Sequence, residues 1–231
     1  MKISLLIFTM ISLNFTGHIF AQETAYPSPL KFEGSIKDFE KQEERQQTPK
    51  NAIVVTGSST IVGWKSIHDD LKPLTIIPRG FGGSNMNDLY HYSEQLIIKH
   101  KPRAVVIYEG DNDLIFRVSP KQIKNKFIKL KDKLLKADKK LRIYLISVKP
   151  SIARKSYLEK AKEVNEIFKD LCNSSNNLYF IDTFSPMMDG DKIKKDVFLK
   201  DKLHYNDTGY KIWTQAVLPV LLKNELKFEK K

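Results

Sequence analysis

The chain has 231 residues, 41% apolar and 29% charged, which excludes a disordered or fibrous protein and allows one sizeable domain or two small ones. Its single cysteine, Cys172, rules out an intrachain disulfide, so stability has to come from a packed core. A net charge of +12 favours anionic surroundings without naming a partner.

Met1 to Ala21 combine Lys2, an apolar run from Ile3 to Phe15 and a small residue at Ala21, which reads as a secretory signal peptide cut after Ala21. Asn14, Thr16, Gly17 and His18 break the run short of the roughly 20 apolar residues that span a bilayer, so export with no stable membrane span is expected, to the periplasm or beyond. Residues 22–51 are rich in Glu, Gln, Lys and Pro without sustained periodicity, and read as a linker or an N-terminal arm draped over the domain. Residues 52–231 are then one domain.

From Ala52 onward, short apolar runs alternate with amphipathic stretches. Ala52–Thr56, Leu74–Pro78, Ala104–Gly110, Leu141–Val148 and Leu178–Asp182 are β-rich and nearly continuous in apolar character, as strands buried on both faces should be. Helices are expected at Ile61–Leu71, Met86–Lys99, Pro120–Lys139, Ala153–Cys172 and Thr208–Leu222, with Ser119 and Pro120 forming an N-cap and first-turn pair. Cys172 falls on the apolar stripe of its helix with Val164, Ile167, Phe168 and Leu171, as a small buried hydrophobe. Strand and helix in alternation predict a three-layer α/β/α fold with a five-stranded, mainly parallel, flavodoxin-like sheet. Ligands of such sheets bind beyond the carboxyl ends of the strands.

The lysine-dense stretch Ser119–Lys140 invites a nucleic-acid reading. Ile123, Phe127, Leu130 and Leu134 fall at helical spacing between the lysines, however, and no aromatic side chains interleave them for base stacking. The pattern is that of a solvated helix face with no nucleic-acid partner, attraction to anionic surfaces or polysaccharides being the lesser alternative.

Polar residues gather where the strands end. Gly57, Ser58 and Ser59 follow the first strand at a strand-to-helix turn, where a hydroxyl either caps the helix or meets a developing negative charge. Gly80, Gly82 and Gly83 follow the second, either as a tight turn or as bare backbone that a reacting oxygen can approach. Asn112 stands between two aspartates after the third. Asp201 and His204, three residues apart ahead of the last helix, make either a turn or a carboxylate that holds one ring nitrogen of a general base. No HExxH, CxxC, GxGxxG or phosphate-loop pattern occurs, so no metal or organic cofactor is signalled.

The blocks GSST, GFGGS, GDND and DKLH, in this order and each after a strand, resemble the four blocks of the SGNH family of GDSL-type esterases and lipases, over Ala52 to about Leu222. The resemblance implies a serine esterase with Ser59 as nucleophile, His204 as base and Asp201 orienting it. It also implies an oxyanion hole from the backbone N–H groups of Ser59 and Gly83 and the side-chain amide of Asn112. This chain departs from the family pattern in the first block, where Ser58 replaces Asp and Thr60 the usual aliphatic residue; Trp64 resembles a tryptophan of relatives that share the serine. Exported relatives commonly deacetylate carbohydrates, so a polysaccharide or glycan O-deacetylase is expected. A lipase or lysophospholipase and a catalytically inactive carbohydrate-binding protein are the alternatives. Arg79 and Arg154 are candidate contacts for an anionic or sugar group, salt bridging being their simpler role.

Overall fold

A computed structural model describes residues 25–229, so the expected signal peptide at 1–21 lies outside the described residues. In chain order the elements are α1 (Glu33–Arg45), β1 (Ile53–Gly57), α2 (Ser59–Gly63), α3 (Ile67–Asp70), β2 (Ile76–Gly80), α4 (Met86–His91), α5 (Ser93–Leu96), β3 (Ala104–Tyr108), α6 (Asp111–Ile115), α7 (Pro120–Ala137), β4 (Arg142–Ile146), α8 (Leu158–Asn173), β5 (Leu178–Ile181), a small ribbon of β6 (Met188–Asp189) and β7 (Lys192–Ile193), and α9 (Asp207–Glu225). Strands β1 to β5 form one sheet in the order β2-β1-β3-β4-β5, every pair parallel. The expected three-layer, flavodoxin-like arrangement is therefore present, and the order reverses at β1, where β2 lies to one side and β3 to the other.

Alternation of side chains along each strand divides the interior in two. Val54, Val105, Ile107, Ile143 and Leu145 pack under α4, α7 and α8 against residues such as Leu89, Phe127 and Phe168. Ile53, Val55, Val106, Tyr108 and Ile146 face the other way, against Ile61, Trp64, Trp213 and Val217 of α2, its C-cap and α9. No helix among the described residues is long and apolar enough to cross a membrane.

The strands fall within two residues of the expected ends, but several helices differ. The stretch Ile61–Leu71 is broken into α2 and α3, because Trp64 turns inward against Tyr210 and Trp213 and Gly63 lies where a Cβ would come 2.4 Å from the Tyr210 hydroxyl. Met86–Lys99 breaks after His91, where buried Tyr92 reaches back to donate to the Pro29 carbonyl. Helix α8 begins only at Leu158, since the preceding residues are needed as a loop at the sheet edge.

Within residues 22–51, a 3-10 turn (Pro29–Phe32) leads into α1, which has few apolar residues but seats Ile36 in the core. Phe32 meets Phe81 edge-on with ring centroids 5.1 Å apart, next to the glycines that follow β2. Phe32→Ala is therefore expected to destabilise the fold by about 3 kcal/mol in urea unfolding. A loss below about 0.5 kcal/mol would show that the segment only rests on the surface.

Candidate active site

Strand β1 delivers Ser58 and Ser59 through Gly57, whose φ of +148° and crowding admit no side chain: a Cβ would come 2.2 Å from the Tyr108 carbonyl oxygen. Ser58 is 2% exposed and faces the interior, whereas Ser59, the first residue of α2, opens to the edge. Ser59 Oγ lies 2.9 Å from His204 Nε2, and His204 Nδ1 lies 2.6 Å from Asp201 Oδ2. The other carboxylate oxygen, Asp201 Oδ1, accepts from the backbone N–H groups of Leu203 (2.9 Å) and His204 (3.0 Å). The bond to His204, with these amides in support, lowers the Asp201 carboxyl to about 2. An ionised carboxylate can only accept, so Nδ1 carries the imidazole proton and Nε2 offers its lone pair to Ser59. Such a chain can take up the hydroxyl proton as oxygen attacks a carbonyl.

Beside Ser59 runs the loop after β2. Phe81 N–H donates to the Gly57 carbonyl (2.8 Å), and a Cβ on Gly82 would lie 3.9 Å from Ser59 Cβ, so the backbone here skirts the serine. Gly83 adopts φ +84° with open space around its Cα. Asn112, from the N-terminal turn of α6, donates from Nδ2 to the Ser84 carbonyl (2.8 Å) and accepts at Oδ1 from Arg154 Nη2 (2.9 Å). The geometry thus brings Ser59, His204 and Asp201 together in one hydrogen-bonded row, with the Gly82–Ser84 loop alongside and Asn112 bonded to it.

The two arginines are occupied by the protein. Arg79, 6% exposed, pairs with Glu43 of α1 (2.7 Å) and donates to its own neighbour's carbonyl at Pro78, while its guanidinium stacks on Phe39. Its charge is thus directed to α1, because burial at the sheet's edge strand demands a partner. Arg154 is held by Asp111 (2.7 Å) and Asn112.

Other buried polar groups that sequence patterns did not single out support these loops. Ser84 Oγ donates to Glu109 Oε1 (2.6 Å), Asp113 accepts from Met86 N–H (3.1 Å), and Asn85 and Asp88 cap α4 reciprocally. Burial pushes Asp113 and Asp88 up to about 6, and burial together with the Asp113 charge pushes Glu109 far above the usual carboxylate range. Across the edge, Lys149, 3% exposed, donates to the Leu203 carbonyl (2.7 Å) and Thr60 Oγ1 (3.1 Å), tying the turn at Asp201–His204 to the residue after Ser59. Burial lowers its ammonium to about 8. The one sequence signal for these supports is proximity: Glu109 and Asp113 lie within three residues of Asn112, and Lys149 immediately follows the fourth apolar run.

Residues 51–212 match the GDSL-like Lipase/Acylhydrolase family. The chain belongs to this family. It is accordingly a carboxylic ester hydrolase, as the four blocks implied. No curated protein matches the sequence at a significant level. Among solved structures, the chain is similar to a protein of Streptococcus pneumonia at 19% identity and a TM-score of 0.72, covering 83% of this chain and 94% of that one. It is also similar to a GDSL-like lipase from Bacteroides thetaiotaomicron (21% identity, TM-score 0.66, 81% and 97% coverage). A third similar structure is a carbohydrate esterase family 3 protein from Talaromyces cellulolyticus (15% identity, TM-score 0.62, 78% and 100% coverage). At these identities the likenesses establish the fold.

Burial in this acylhydrolase fold thus raises the Glu109 carboxyl well above the value of an unfolded glutamate. A group with a raised folded pKa adds stability that is complete below its unfolded value and fades as pH climbs towards the folded one. Glu109→Gln preserves shape and the acceptor for Ser84 but removes this titration. In urea titrations it is expected to gain on the parent chain by about 1 kcal/mol or more between about pH 4.5 and about pH 8. A constant difference across that range would mean that Glu109 is ionised in the fold.

Proposed function

We propose that Ser59 is the nucleophile of this ester hydrolase, His204 its general base and Asp201 the residue that orients His204. The observation that carries this reading is the 2.9 Å approach of Ser59 Oγ to His204 Nε2, with Asp201 bonded to the opposite ring nitrogen. Ser59 Oγ attacks the ester carbonyl and its proton passes to His204 Nε2, giving a tetrahedral oxyanion and an imidazolium beside the Asp201 carboxylate. The oxyanion is received by the N–H groups of Ser59 and Gly83 and by Asn112 Nδ2. Collapse breaks the bond to the alcohol, which leaves with the proton from His204, and water then releases the acid from the acyl-enzyme by the same steps.

The proposed substrate is an O-acetylated carbohydrate or glycan met after export. Its support is the openness of the site, where the side chains of His204 and Asp201 are 35% and 46% exposed. A small acyl group on a bulky alcohol suits such an edge better than a long acyl chain, which gains from an enclosed apolar channel. Met1–Ala21 would be the leader, 22–51 the arm and 52–231 the hydrolase domain. Similar structures include an acetyl esterase and a carbohydrate esterase, which agrees with the reading for this chain.

The test is hydrolysis of p-nitrophenyl acetate, butyrate and octanoate by the chain lacking residues 1–21. Acetate is expected to be preferred, and Ser59→Ala to abolish turnover. Preference for octanoate would replace the deacetylase by a lipase, and activity surviving in Ser59→Ala would remove Ser59 from the mechanism. Asn112→Ala is expected to lower kcat by a factor of about 100 to 1,000, as loss of one oxyanion donor does. A kcat within a few-fold of the parent would exclude Asn112 from the hole.

A further inference from the structure

The loop between β4 and α8 contributes none of the three residues proposed to react, yet it touches each part of the site. Ala153 N–H donates to the Lys202 carbonyl (3.1 Å), Lys149 binds at Leu203 and Thr60, and Arg154 reaches Asp111 and Asn112. Of these contacts the last bears directly on the chemistry.

We infer that Arg154 is a positioning residue for the oxyanion hole: its guanidinium grips Asn112 Oδ1 and Asp111 and thereby presents Asn112 Nδ2 to the reacting carbonyl oxygen. The inference rests on the reading of Asn112 as an oxyanion donor. A primary amide can be placed either way round unless its partners decide. Here both decide, because the Ser84 carbonyl can only accept and a guanidinium can only donate. One Nδ2 hydrogen goes to Ser84, which leaves the second for substrate. A cation 2.9 Å from the amide oxygen also draws electron density from the nitrogen, which makes the remaining N–H a stronger donor. Arg154 is itself fixed from a second side by Asp111, and its side chain is only 17% exposed, so water screens neither contact strongly.

A salt bridge that merely stabilised the fold would explain the Asp111 contact alone, and a double-mutant cycle separates the two roles. Arg154→Met is expected to lower kcat for p-nitrophenyl acetate by about 10- to 100-fold while KM moves less than about threefold. In an Asn112→Ala background the same substitution is expected to change kcat by less than about threefold, since the donor it positions is already gone. A near-normal kcat for Arg154→Met, or a loss that multiplies fully with that of Asn112→Ala, would overturn the inference. If Asn112→Ala alone proves near-normal, the proposed hole fails first and the inference falls with it; if Asn112→Ala is slow and Arg154→Met is not, only the inference fails. Should Arg154→Met not fold, Arg154→Lys, which keeps a cation but cannot hold both partners, is read in the same cycle with the same criteria.

Discussion

The close passage of β1 between β2 and β3 at Gly57 governs the arrangement of everything at the sheet's edge. Phe81 N–H bonds the Gly57 carbonyl from one side, and Ser58 N–H bonds the Tyr108 carbonyl on the other. A side chain at residue 57 would force β1 and β3 apart. With it absent, the exits of three parallel strands meet within hydrogen-bond distance, and residues from three distant stretches of chain face one point. The parallel sheet makes this possible, since all its strands release their loops on the same edge.

Loops brought together in this way still need to be held, and buried polar groups do the holding at some cost to stability. Glu109, Asp113 and Asp88 lie beneath the loop after β2, where burial raises their pKa values. Each accepts a hydrogen bond from that loop or the start of α4: Glu109 from the Ser84 hydroxyl, Asp88 from the Asn85 N–H and Asp113 from the Met86 N–H. On the other flank Lys149 and Arg154 supply donors alone, as their carbonyl and carboxylate partners require. Replacing buried ionic groups by well-packed apolar ones is often neutral or stabilising. An apolar interior would not have fixed amide and carbonyl dipoles around a serine, and fixed dipoles are what a developing oxyanion needs.

The sheet was legible in the sequence because continuous apolar runs have few structural alternatives, and all five strands lie within two residues of where the runs predict. Helix α7 was equally plain, announced by the Ser119–Pro120 pair and its apolar spacing. Helix α1 was not, because Ile36 and Phe39 are its only large apolar residues in a highly charged stretch, and its packing depends on Ile36 and on Phe32 just ahead of it. The break between α2 and α3 follows from Tyr210 and Trp213, residues almost 150 positions later, which no local pattern contains. The same limit applies to the site. Strand ends and block order brought the serine turn, glycines, amide and histidine into view, but which of Ser58 and Ser59 meets His204 depends on which one the fold buries. The partners of Arg79 and Arg154 lie 36 and 42 residues away and became visible only through the fold.

The pair Asp201 and His204 shows why the turn reading and the chemical reading of a short motif need not compete. One carboxylate oxygen closes the turn on two backbone amides, and the other holds the imidazole. The turn fixes the carboxylate relative to its own backbone, and the carboxylate then fixes the ring, so the histidine's orientation is inherited from a local structure of four residues. Lys149 secures that turn to the chain beside Ser59 through the Leu203 carbonyl. The Asp201 carboxyl, held at about 2 by the bond to the ring and the two backbone amides, is ionised throughout the neutral range, so both of its oxygens remain acceptors and the turn and the ring keep the same anchor.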